Sequence, residues 1–242
     1  MSRVTSPFCP VLAELIQSQR AVGRTGRVFE GLTALSTTNN LYTIHKLMHE
    51  TRASRTLEVG LSFGGSALAF CACHQELGRP PAAQHTALDP FQTTVWDSCG
   101  LMAVERAGLM GYMDFRQAYS ALELPKLAAS GARFDLVYVD GSHLFEDVFV
   151  DAYFVIRLLI KGGVVAFDDS SNPHIAKVLR FLRTSVPPKA LEELDLSHYR
   201  GKQDQFSCFS YRVARYFRKV QLTAFRRVGN VDRAWDAPFH SF

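Results

Sequence analysis

Short apolar runs alternate with longer stretches of helical periodicity through most of this chain. Residues 11–20 have helical spacing, with Leu12, Leu15 and Ile16 on one face. A second helix is expected over 40–50, "NLYTIHKLMHE", where Leu41, Ile44, Leu47 and Met48 recur at helical intervals. Asn39 or Asn40 offers it an N-cap side chain. A regular alternation then begins: "RTLEVG" as strand, "GGSALAFCACHQEL" as helix, "HTALDP" as strand, "DSCGLMAVERAGL" as helix and "MDFRQAYS" as strand. It continues with "LELPKLAASG" as a short helix, "FDLVYVD" as strand, "LFEDVFVDAYFVIRLL" as helix and "GGVVAFDD" as strand. "PHIAKVLRFLRTSV" is a further helix, with Pro173 suited to its first turn. "FSCFSYRV" and "LTAFRRVG" are the last candidate strands. Nearly all-apolar strands, each followed by a helix, imply a parallel sheet covered on both faces. The expected class is therefore α/β: a Rossmann-like, seven-stranded, mostly parallel sheet with helices on both faces. No repeat or Gly/Ser linker divides the chain. Residues 1–38 are expected as an N-terminal helical extension and residues 39–242 as one domain.

Acidic residues mark the ends of these strands. The stretch from Phe134 to Ser170 holds seven Asp and Glu, three of which (Asp140, Asp168, Asp169) stand where apolar runs stop. Glu58 and Asp89 stand near the ends of the first two strands. Right-handed crossovers put all the C-terminal strand ends along one edge, where ligands bind in such sheets. Glu146 and Asp147 fall in the first turn of a helix, where acids suit the helix dipole, and are assigned to structure.

Composition changes this picture little. The 242 residues are 47% hydrophobic and 21% charged, ordinary for a globular chain with an ample core. The net charge of +4 is uneven: from Ala176 onward there are 13 Lys/Arg against 6 Asp/Glu, or +7, leaving −3 for the rest. A basic C-terminal third raises nucleic acid as a partner, but no RNP, helix-turn-helix or zinc-finger signature accompanies it, so a solvated face is expected instead. Five irregularly spaced cysteines lack a CxxC, and Cys71-Ala72-Cys73-His74 has no second Cys/His pair at zinc spacing. Those residues are assigned to helix packing. Reduced cysteines, and an opening stretch without the apolar core of a secretion signal, lead to the expectation of a cytoplasmic protein. No window approaches a membrane span, so no membrane partner is expected.

The first loop, "LEVGLSFGGS", carries Gly60, Gly64 and Gly65, which allow tight turns and close approach of backbone to a ligand. It is neither GxGxxG nor GxxxxGK[ST]. An acid at Asp89 can accept both hydroxyls of a ribose, and an acidic rim suits a cationic nucleoside such as S-adenosylmethionine (SAM) better than a pyrophosphate. The same loop spells G-x-S-x-G over Gly60–Gly64, so Ser62 is also a candidate hydrolase nucleophile, with Asp168 and His198 filling the other roles by order. Three clustered aspartates call for a cation, and hard oxygen donors favour Mg²⁺ or another hard divalent cation. His143, three residues beyond Asp140, is a natural general base toward an acceptor hydroxyl.

The stretches "LEVGLSFGGS", "ALDPF", "FDLVYVDGSHLFEDVFVD" and "LLIKGGVVAFDDS" resemble the class I SAM-dependent methyltransferases, and within them the metal-dependent O-methyltransferases of the macrocin and catechol types. The resemblance covers about residues 35–185 and makes 39–242 the methyltransferase domain. It implies SAM and Mg²⁺ as cofactors, with Asp140, Asp168 and Asp169 as metal ligands and His143 as catalytic base. It implies that the loop around Gly60, Ser62, Phe63, Gly64 and Ser66 cradles the methionine part. Glu58 and Asp140 are further cofactor contacts, Asp89 binds the ribose, and Ala118, Tyr119 and Ser120 flank the adenine. The catechol branch ends its fifth strand in Asp-Asn where this chain has Asp168-Asp169. The expected partner is a small hydroxylated acceptor, a sugar or natural product; a homodimer stays open. Phe206, Phe209, Tyr211, Tyr216 and Phe217 are candidates to line the acceptor pocket or a subunit contact. Two other classes remain: a non-catalytic SAM-fold module binding nucleic acid through its basic C-terminal region, and the Ser62 hydrolase.

Overall fold

The computed structural model describes residues 8–200, 205–217, 219–238 and 241–242. The chain divides into two compact units, Met1–Tyr119 and Ser120–Phe242. Its seven-stranded, mostly parallel mixed sheet gives it a Rossmann-like α/β fold.

The first unit opens with α1 (Pro10–Ser18), whose buried face is Leu12 and Leu15. An antiparallel hairpin, β1 (Arg20–Val22) and β2 (Val28–Glu30), follows. It was not expected, because three-residue strands carry too few positions to show alternation. Helix α2 (Thr38–Thr51) buries Leu41, Ile44, Leu47 and Met48, as its periodicity requires. Its cap is Thr37, whose hydroxyl accepts the Asn40 N–H at 3.3 Å, and not Asn39 or Asn40. Strands β3 (Thr56–Val59), β4 (His85–Leu88) and β5 (Met113–Arg116) pair in parallel in the order β5-β4-β3. Helices α3 (Gly65–Glu76) and α4 (Cys99–Arg106) connect them. Every residue of α3 from Gly65 to His74 is buried, which explains its apolar character on all sides. Polar groups inside this unit bond to one another: the Thr56 hydroxyl lies 2.9 Å from both His74 Nε2 and His85 Nδ1, and His85 stacks on Phe70.

The second unit begins with α5 (Ser120–Ala129) and β6 (Phe134–Val139). Helix α6 (Phe145–Leu158) leads into β7 (Leu159–Phe167), which pairs in parallel with β6. β7 starts three residues earlier than its apolar run suggests; the extra residues form a bulge, with Gly162 in the left-handed region at φ +88°. Helix α7 (Pro173–Ser185) has Pro173 in its first turn and Asn172 as cap, accepting the His174 N–H at 3.0 Å. β8 (Leu191–Glu193) and β9 (Thr223–Arg227) close this half in the order β6-β7-β9-β8, with both β9 pairings antiparallel.

The expected strand "FSCFSYRV" is instead part of helix α8 (Gln205–Tyr216). Burial there falls at 211 and then 214 and 215, a helical and not an alternating interval. Tyr211 is the buried anchor and its hydroxyl accepts the Leu196 N–H. The place in the sheet is taken by β8, which was too short and too acidic to be read as a strand. Among the described residues no helix is long and apolar enough to cross a membrane.

One acid on α6 is out of place by charge. Asp151 is 1% exposed, and burial pushes its carboxyl up to about 7; Ser120 opposes the rise and Asp147 adds to it. An unfolded aspartate titrates near 3.9, so between about pH 4 and 7 the folded chain holds more protons than the unfolded one. Stability should therefore fall as pH rises through that window and level off above it, by up to about 4 kcal/mol. Asp151→Asn should flatten this slope and leave the protein more stable than wild type at alkaline pH, as read by urea unfolding at a series of pH values.

Candidate functional site

The turn between β3 and α3 is built on left-handed backbone. Gly60 has φ +93°, Ser62 +46° and Gly64 +81°. A non-glycine residue in this region costs about 1–2 kcal/mol, and such strain persists only where surroundings enforce it. Asp89, just past the end of β4, does the enforcing. Its Oδ2 accepts the N–H groups of Leu61 at 3.1 Å and Ser62 at 2.9 Å, and its Oδ1 accepts that of Phe91 at 2.7 Å. The buried Gln92 amide donates to Asp89 Oδ2 and to the Ser62 carbonyl at 2.7 Å. Helix α4 presses on the same turn: a Cβ at Gly100 would sit 2.5 Å from the Ser62 carbonyl oxygen, and one at Gly64 would sit 2.9 Å from the Gly100 oxygen. Gln92 and Gly100 were not anticipated, since neither belongs to a recognisable motif.

The other expected cofactor residues take varied positions. Ser62 Oγ is buried with no hydrogen-bond partner among the described residues, so no histidine stands on it as a hydrolase would need. Such an orphaned hydroxyl on a strained turn fits a ligand-facing group. Phe63 packs edge-on against Phe29 and Trp96, at 5.4 and 5.2 Å between centroids, and Ser66 is buried at the start of α3. Glu58 does not reach the turn: its side chain is fully buried, with Oε1 3.2 Å from His85 Nε2. At the exit of β5, Ala118 turns back onto the Arg116 carbonyl, and the exposed Tyr119 meets the exposed Phe91 edge-on at 5.8 Å.

In the second unit the ends of β6 and β7 gather the acids. One ligand atom each from Asp140, His143 and Asp169 lies within 4.8 Å of the others. His143 Nε2 is 2.8 Å from Asp169 Oδ2, with His143 about half exposed. Asp140, Gly141, Ser142, His143, Phe167 and Asp168 share one small recess. Asp168 is turned away from the trio. It is 4% exposed, accepts the Tyr138 hydroxyl and the Gln221 amide, and receives the Asp169 N–H at 2.7 Å. Gln221 also donates to Asp169 and fixes its carboxylate. Asp169 itself is left-handed, at φ +47°. Asp140 and Asp169 bring two oxygen donors of the kind a hard divalent cation takes close together, with the His143 imidazole beside them. Of the five aromatics proposed as acceptor lining, Phe209, Tyr216 and Phe217 are exposed, Tyr211 is buried, and the Phe206 side chain lies outside the described residues.

Residues 57–170 match the family model described as a methyltransferase domain. No curated protein matches the sequence. Among solved structures, the chain is similar to Rv0187 from MTB, solved with cofactor, at 17% identity and TM-score 0.63, covering 95% of this chain and 94% of the other. It is similar to an O-methyltransferase from Bacillus cereus solved with SAH, at 14% identity and TM-score 0.59, covering 93% and 94%. It is also similar to the O-methyltransferase TomG from Streptomyces achromogenes, involved in tomaymycin synthesis and solved with SAM, at 16% identity and TM-score 0.57, covering 91% and 90%. The domain match supports a methyltransferase enzyme, and the solved structures share the fold.

The Asp89 clamp can be tested directly. Asn at this position keeps the size but loses the charge that strengthens its backbone hydrogen bonds. Asp89→Asn should lower the unfolding free energy by about 1.5–3 kcal/mol. Amide exchange at Leu61 and Ser62 should quicken, while the β9 amides stay protected.

Proposed function

We propose that this chain is a SAM-dependent O-methyltransferase, assisted by a hard divalent cation, that acts on a hydroxyl of a small acceptor such as a sugar or natural product. The observation that carries the reading is the convergence of Asp140, His143 and Asp169 at the ends of β6 and β7. The strained turn of the first unit, with the orphaned Ser62 hydroxyl, supports SAM as its ligand, as do the SAM and SAH in similar O-methyltransferases. SAM supplies, when bound, an electrophilic sulfonium methyl group, whose transfer to the acceptor oxygen leaves a neutral thioether. A bound cation would supply positive charge that favours the ionised form of an acceptor hydroxyl.

The chain's own residues then have definite tasks. Asp140 and Asp169 are the carboxylates that would hold the cation, and Asp168 positions Asp169 through its backbone N–H. His143, donating Nε2–H to Asp169, keeps the Nδ1 lone pair to accept the acceptor's proton. A carboxylate behind the imidazole stabilises the imidazolium that results. Within the basic C-terminal third, Arg183 pairs with Glu193 at 2.6 Å and Arg215 with Asp195 at 3.5 Å, which supports a structural task for those two arginines. Arg227 is engaged with the backbone carbonyls of Arg157 and Leu159.

Calorimetric titration with SAM, in Mg²⁺ and in EDTA, tests both halves. SAM should bind in both conditions, and a separate Mg²⁺ signal should vanish in Asp140→Ala while SAM affinity holds. Release of SAH over a panel of hydroxylated acceptors should fall by about 10²–10⁴-fold in His143→Ala. Failure of SAM to bind would remove the transferase reading. An unchanged Mg²⁺ response in Asp140→Ala would remove the cation.

A further inference from the structure

A second group of metal-ligating side chains lies wholly within the first unit. His45 and His49 stand one turn apart on α2, and Cys73 and Glu76 stand one turn apart on α3. One ligand atom from each of the four lies within 4.8 Å of all the others. Both imidazole Nε2 atoms point at the same carboxylate oxygen, Glu76 Oε2, at 3.2 Å from His45 and 3.0 Å from His49. The two rings lie 4.5 Å apart, centroid to centroid. Cys73 is buried at the base of the group, 1% exposed, whereas His49 and Glu76 are about 40% exposed at its mouth. Solvent therefore reaches one side, and the thiol closes the other.

We propose that these four residues form a structural Zn²⁺ site that staples α2 to α3. The donor set is two imidazoles, one thiolate and one carboxylate, which suits zinc and excludes Mg²⁺ and Ca²⁺, whose preference is for oxygen alone. The geometry agrees. Zinc–ligand bonds of 2.0–2.3 Å in a tetrahedron place donor atoms about 3.3–3.8 Å from one another. The Glu76–histidine separations already stand near that spacing, and the remaining ones need to contract by about 1 Å, within reach of side-chain rotation. A surface carboxylate paired to two histidines would account for three of the residues but not for the buried thiol facing them. Four protein donors fill the coordination sphere, so the site is closed and structural, not catalytic. Binding would displace the Cys73 thiol proton to solvent and leave both histidines neutral. The staple joins the helix that begins directly after the strained turn, at Gly65, to its neighbour α2. It does not rest on the methyltransferase reading.

The test is metal analysis of the purified full chain after dialysis, followed by replacement of zinc with Co²⁺. About one zinc per chain should be retained, and the Co²⁺ form should show a thiolate charge-transfer band with the intense visible bands of tetrahedral geometry. Cys73→Ser should lose the charge-transfer band. His49→Ala and Glu76→Gln, whose side chains are part-exposed and so spare the core, should each weaken zinc binding on the order of tenfold or more, since even outer-shell partners cost that much. Asp140→Ala should retain full zinc. Less than stoichiometric zinc in wild type even with zinc supplied, or equal zinc affinity in wild type, His49→Ala and Glu76→Gln, would overturn the site. If Cys73→Ser does not fold, the other two variants decide the question alone.

Discussion

The Asp89 carboxylate is the constraint on which the strained turn after β3 depends. Four donors converge on it: three backbone N–H groups and the Gln92 amide. Without a charged acceptor there, Leu61 and Ser62 would leave two buried amides unpaired, and Ser62 would have little reason to stay left-handed. The turn is thus held open by an acid one strand away, not by its own residues. Glycine supplies permission at Gly60 and Gly64, but permission alone leaves a loop with many conformations. Asp89 selects one of them. An acid expected to face a ribose is therefore at least as much a backbone clamp.

Asp168 has the corresponding task in the second unit. Its carboxylate is buried, which is costly for a charge unless strong donors surround it. Tyr138, Gln221 and the Asp169 N–H supply them. The result is that the next residue, Asp169, is held left-handed with its carboxylate turned toward His143. Two neighbouring aspartates with the same chemistry do different work because one is enclosed and the other is a third exposed. In both units, then, one carboxylate is spent on shape so that neighbouring groups are free to face outward.

The fold was legible because its signal is redundant. Ten of the twelve residues of α3 are buried, and β3, β4, β6 and the end of β7 are buried at nearly every position, so pattern and length agree on each element. The elements missed are those with few residues or mixed signals. β1, β2 and β8 have three residues each, too short for an alternation to exceed chance. The aromatic run before Tyr211 alternates like a strand, yet the pairing of Arg215 with Glu193 and Asp195 and the burial of Tyr211 fix a helix there. Here tertiary contacts override a local preference. Among the expected site residues, Asp140 and Asp169 stand just past the ends of β6 and β7, with His143 in the loop after β6. Sequence order could not show that Asp168 turns inward or that Glu58 lies against His85, because side-chain direction at a strand end depends on partners distant in sequence.

The histidines show why that limit matters for chemistry. His74 and Cys73 are adjacent in sequence and looked like one fragment. In the helix, neighbouring residues point about 100° apart, so they belong to different environments. His74 turns inward to Thr56 and, through its hydroxyl, to His85, which ties α3 to β3 and β4. Cys73 turns toward α2, where His45, His49 and Glu76 meet it from residues whose sequence spacing resembles no zinc motif. Four separate single-letter signals, each ordinary, become a donor set only when two amphipathic helices pack in one register. A site of that kind is encoded in the sequence as packing, through Leu41, Ile44 and Leu47, before it is encoded as chemistry.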